Sequence, residues 1–131
     1  AVTKGQHFDA GSNSMLIQIV DPITEFPLPK VAFKEVHQFK FLDAEDADVE
    51  EYGEEPLITD EQADEIAALL QRALANHMNI VVHCHAGICR SGAVAEVAVM
   101  LGFRDTEAFR SPNMRVKHKL MTALGMMYGS N

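Results

Sequence analysis

Apolar residues recur along this chain with two different periods, and the switches between them outline an α/β domain. Met15, Leu16, Ile17, Ile19 and Val20 predict a first strand over 15–20, stopped by Asp21-Pro22. After a loop punctuated by Pro22, Pro27 and Pro29, residues 36–41 alternate in the manner of a half-buried strand. Thr59-Asp60-Glu61-Gln62 resembles a capping box, and Ile66, Leu69, Leu70, Ala73 and Leu74 supply the apolar face of the helix it opens. Ile80, Val81 and Val82 predict a buried central strand over 80–83. A small-residue helix follows and should end near Gly102. Val116, Leu120, Leu124 and Met127 return at helical spacing and predict a closing helix over 114–127. Strands alternating with helices predict one domain with a compact, mainly parallel sheet flanked by helices on both faces. It would occupy residues 15–128, with 1–14 as an N-terminal extension.

Composition narrows the picture further. With 131 residues the chain suffices for one domain with a real core. It has no apolar run of about 18 residues, so no membrane span is predicted. Its first residues, from Ala1 to Phe8, lack the apolar core of a signal peptide. Two cysteines, Cys84 and Cys89, form no disulfide framework and fit a reducing, cytoplasmic compartment. The net charge is −8, and twelve of the nineteen acids fall between Asp43 and Glu65, while basic residues prevail after Leu101. An acid-rich chain argues against general nucleic-acid binding, leaving nucleic acid only as one conceivable phosphate substrate. A monomer is expected.

Candidate chemistry concentrates in His83-Cys84-His85-Ala86-Gly87-Ile88-Cys89-Arg90-Ser91-Gly92. A buried strand ends at a cysteine here, and a short loop leads into a helix whose N-terminus points back at the thiol. Such a turn presents backbone N–H groups and the positive end of a helix dipole to one small volume. Helix N-termini favour the thiolate, the reactive form of cysteine. Arg90, six residues after Cys84, offers a planar fork suited to two phosphate oxygens. A nucleophilic sulfur aimed at a bound phosphate describes a phosphatase.

The stretch resembles the Cys-x5-Arg-Ser signature of the cysteine-dependent protein tyrosine phosphatases. Chain length and the late position of the loop resemble the dual-specificity type, in particular its small bacterial and phage members, over roughly residues 15–124. Ile88-Cys89-Arg90-Ser91 also resembles the low-molecular-weight branch, which implies a redox partnership between Cys89 and Cys84. The resemblance implies a metal-independent, cofactor-free phosphomonoesterase acting on phosphorylated protein or peptide. Cys84 would attack phosphorus to give a phosphocysteine, and Arg90 would clamp the phosphoryl oxygens. Backbone N–H groups of His85, Ala86, Gly87, Ile88, Cys89 and Arg90 would hold the phosphate. Ser91 would assist departure of the sulfur as well as cap its helix. His83 would support the loop, and Asn113, a good helix N-cap on local grounds, would brace it.

The leaving oxygen needs a proton, so a carboxylic acid should face the sulfur. Phe41-Leu42-Asp43-Ala44 resembles the acid-bearing turn of the small members, which ranks Asp43 first, Asp46 second and Asp48 third. Other readings use the same residues. A rhodanese-like sulfurtransferase also places a cysteine loop before a helix, though its common loop is one residue shorter and needs no acid. A catalytically inactive phosphate- or phosphoprotein-binding module would keep the loop without turnover. A zinc site built on His83, Cys84, His85 and Cys89 is disfavoured, because adjacent strand residues point to opposite faces.

Overall fold

The computed structural model describes residues 2–4, 13–29, 32–43, 57–84, 90–104 and 112–125. In chain order the elements are β1 (Val2–Lys4), β2 (Ser14–Val20), β3 (Glu35–Lys40), α1 (Asp60–Ala75), β4 (Asn79–His83), α2 (Arg90–Leu101) and α3 (Met114–Ala123). The strands form a sheet of order β1-β4-β2-β3, and every pairing is parallel. Residues 2–4 belong to the stretch expected to be an extension, yet they pair with β4 in register Val2 with Ile80 through Lys4 with Val82. Three residues are too few for periodicity to announce a strand.

Register explains how the core is divided. Met15 pairs with Ile80 and Ile17 with Val82, so these side chains share one face of the sheet. They join Ile19, Phe39 and Phe41 in a core that also takes Ile66 and Leu70 from α1, Val94 and Val97 from α2, and Val116 and Leu120 from α3. All three described helices therefore contribute to one core. Burial on the second face has another source within the described residues. Leu16 and Val81 there are fully buried, and Gln18 donates to the carbonyl of Pro27 at 2.8 Å, pinning the loop after β2 across the strands. Gln18 also accepts from Gln38 at 3.0 Å, which satisfies its buried amide.

Local signals set the helix ends. Thr59 accepts from the Gln62 N–H at 3.1 Å, and the Gln62 side chain accepts from the Thr59 N–H at 3.0 Å, so the capping box forms as expected. Gly102, with φ of +128°, ends α2 where that residue was expected to stop it. The last helix closes earlier than 127: Leu124 caps it and Gly125 turns into the left-handed region at φ of +75°. Met127 lies outside the described residues. Arg72 donates to both oxygens of Glu35, at 2.7 and 2.6 Å, and ties α1 to the edge strand. Its guanidinium, with help from His37, holds the Glu35 carboxyl at about 2 against an ordinary value of 4.5. No described helix is long and apolar enough to cross a membrane.

Candidate active site

β4 lies between β1 and β2, and Cys84 follows its last residue, so the thiol stands at the carboxyl edge of the sheet. The chain leaves β2 toward β3 on one side, and the path from β3 then crosses back over β2 to β4. Parallel sheets bind ligands outside the carboxyl ends of their strands where connections diverge in this way. Ile80, Val81 and Val82 are fully buried and fix the strand, which leaves Cys84 little freedom at 2% exposure.

The first turn of α2 meets the sulfur directly. Ser91 brings its backbone N–H to 3.3 Å of Cys84 Sγ, while the thiol donates to Ser91 Oγ at 3.2 Å. A hydroxyl can rotate, so the same Oγ can donate when the sulfur carries charge. The first turn of α1 carries Asp60 and Glu61, whereas that of α2 carries no acid. The positive end of the α2 dipole is thus left uncompensated by any acid of its own first turn, a setting that favours a bound anion. Packing supports this approach, because α2 buries Ala93, Val94, Ala95, Val97 and Ala98. His85, Ala86, Gly87, Ile88 and Cys89 lie outside the described residues.

Arg90 is 4% exposed, and a buried guanidinium requires partners. Its Nη1 donates to Asp21 Oδ1 and to the Phe41 carbonyl, each at 2.8 Å. Among the described residues, Nε is buried without a hydrogen-bond partner. One edge of the fork is therefore anchored, and the Nε–Nη2 edge retains donors in the parallel arrangement that tetrahedral oxyanions accept.

Asp43 lies two residues beyond Phe41, and Asn113 donates from Nδ2 to Asp43 Oδ1 at 2.8 Å. Asn113 is 3% exposed, and its Oδ1 accepts from the Val116 N–H at 3.1 Å, so it caps α3 and holds Asp43 at once. An N–H on Oδ1 leaves Oδ2 as the oxygen that would carry a proton when the carboxyl is neutral. Asp46 and Asp48 lie outside the described residues.

Three separate sets of short contacts are thus present: Cys84 with Ser91, Arg90 with Asp21 and the Phe41 carbonyl, and Asp43 with Asn113. His83 is placed differently. It alternates to the second face and lines a cavity of about 220 Å³ with Val20, Asp21, Thr24, Glu25 and Pro27. Asp21 is the participant that sequence reasoning missed. Its signal was an acid immediately after a strand, but only the adjacency of β2 and β4 turns that position into a site. Such an edge can hold an oxyanion on a fixed guanidinium beside a sulfur nucleophile and a carboxylic acid. The chain matches no family model, and comparison with curated proteins gives no match.

Proposed function

We propose that this chain is a cysteine-dependent phosphomonoesterase with a dual-specificity phosphatase-like fold, hydrolysing phosphorylated protein or peptide. The observation that carries the proposal is the fixed arrangement of Cys84, Ser91 and Arg90 around the N-terminus of α2. The Cys84 thiolate attacks phosphorus in line, forming the S–P bond as the P–O bond to the substrate breaks. Asp43 gives its proton to the departing oxygen. The Nε–Nη2 edge of Arg90 and the backbone N–H groups of residues 85–90 hold the three transferring oxygens. Water then attacks the phosphocysteine, Asp43 takes the water proton, and the S–P bond breaks. The sulfur leaves as a thiolate that accepts a hydrogen bond from the Ser91 hydroxyl, and inorganic phosphate is released. We further propose that the enzyme acts as a monomer in the cytoplasm and needs neither metal nor cofactor.

Sulfur transfer would use the cysteine and the cradle but not a carboxylic acid. The bond from Asn113 to Asp43, beside the carbonyl that Arg90 binds, favours the phosphatase reading. Replacing Arg90 by lysine tests it. Lysine keeps the charge, but a single ammonium cannot bond Asp21 and the Phe41 carbonyl while presenting a second pair of donors. Arg90→Lys should lower kcat/KM for aryl phosphates by about 10²–10³-fold, the scale for losing one oriented donor. Steady-state assays at saturating and limiting substrate measure this, and parent-level hydrolysis would remove Arg90 from the site.

A further inference from the structure

We propose that Asp21 is a positioning residue for the phosphate clamp, setting the orientation in which Arg90 meets the phosphoryl group. This inference rests on the phosphatase reading and adds a residue to it. Asp21 follows the last residue of β2, and Gln18, three positions earlier, pairs with His83 of β4. The sheet therefore delivers this carboxylate to the edge where Cys84 stands. Its Oδ1 accepts from Arg90 Nη1 at 2.8 Å. The second acceptor on Nη1, the Phe41 carbonyl, is neutral and already committed in direction, so Asp21 is the only carboxylate bonded to Arg90 among the described residues.

Two acceptors on one nitrogen fix the plane of the guanidinium, which the four single-bond torsions of the arginine side chain would otherwise let swing. With Nη1 held by two acceptors, Nε and Nη2 form the remaining edge, and among the described residues Nε is buried without a partner of its own. The arrangement also adjusts charge: the Asp21 carboxylate offsets part of the guanidinium charge, so the site gains directional bonds without an unbalanced buried cation. Exposure is divided accordingly. The Arg90 side chain is 4% exposed, whereas that of Asp21 is 44% exposed and lines the cavity beside β2. Asp21 can therefore be changed without opening a void in the core.

The test compares parent, Asp21→Ala, Asp21→Asn and Glu25→Gln on aryl phosphates whose leaving groups span a range of basicity, with orthovanadate inhibition measured beside them. Asp21→Ala should lose about 10²-fold in kcat/KM, the scale of a misplaced catalytic group, and bind orthovanadate correspondingly more weakly. The loss should be the same for every leaving group, because the clamp acts on the phosphoryl oxygens. Asp21→Asn keeps an oxygen for Nη1 and should recover most of the loss, remaining several-fold below the parent. Glu25→Gln, in the same loop without a bond to Arg90, should match the parent. A variant that merely folded less completely would show a lower apparent kcat with unchanged KM and unchanged vanadate inhibition, and that pattern overturns the proposal. So does a loss that grows with leaving-group basicity, which would make Asp21 a proton donor. Should the alanine variant not fold, the asparagine variant decides, with parent-level kcat/KM and vanadate inhibition overturning the proposal. A parent enzyme inactive on the whole series would instead overturn the phosphatase reading on which this one stands.

Discussion

Cys84→Ser should abolish hydrolysis of aryl phosphates and phosphopeptides while leaving orthophosphate and orthovanadate binding largely in place. Serine is close to cysteine in shape, and at 2% exposure the position is filled by its surroundings, so the edge should keep its form. The change is chemical. A hydroxyl is a weak nucleophile unless an adjacent base takes its proton, and among the described residues the groups bonded to Cys84 are the N–H and hydroxyl of Ser91. Arg90 remains held by Asp21 and the Phe41 carbonyl, so the oxyanion still finds its donors. Turnover assays with equilibrium binding of orthovanadate separate the two effects. Residual hydrolysis near the parent level would place the nucleophile elsewhere.

Asp43→Asn should produce the second largest effect, with a shape of its own. General acid assistance is typically worth about 10²–10⁴-fold, and the benefit grows as the leaving oxygen becomes more basic. Phosphoserine and phosphotyrosine peptides should therefore suffer strongly, and activated aryl phosphates little in the first step. Asn113→Ser is the companion variant. Serine still caps α3, but it is too short to replace the amide that donates to Asp43 Oδ1. Its loss should follow the same leaving-group trend as Asp43→Asn at smaller amplitude. A flat dependence in Asp43→Asn would exclude Asp43 as the acid and direct attention to Asp46 and Asp48.

What the sequence made legible was local, and what it hid was long-range. The capping box at Thr59 and the buried strand before Cys84 follow from a few neighbouring residues and stand where expected. Helix α2 already includes Arg90, which puts Ser91 inside its first turn and corrects the expectation that it caps the helix. Asn113 was visible as a cap, and the structure adds its bond to Asp43, seventy positions away. Strand order carries the rest. Val2–Lys4 gains its place only by pairing with β4, and Asp21 enters the site only because β2 is the other neighbour of β4. Layering is likewise long-range: periodicity shows which residues turn inward but not which side of a sheet a helix joins. A narrow second face crossed by a proline-rich loop gives the same buried pattern in β2 as a layer of helices would.

Covalent chemistry at Cys84 is the centre of the account, and trapping the intermediate tests it most directly. Asp43→Asn on an activated aryl phosphate is the best form of the enzyme for this. The first step then needs little acid help, whereas the second lacks its base and the intermediate should accumulate. Rapid denaturing quench during turnover, followed by peptide mass spectrometry, should find one phosphoryl group on the peptide containing Cys84 and assign it to that sulfur. The same experiment with Cys84→Ser should find none. A phosphoryl group on His83 or His85, or continued turnover with no covalent species under these conditions, would contradict the account.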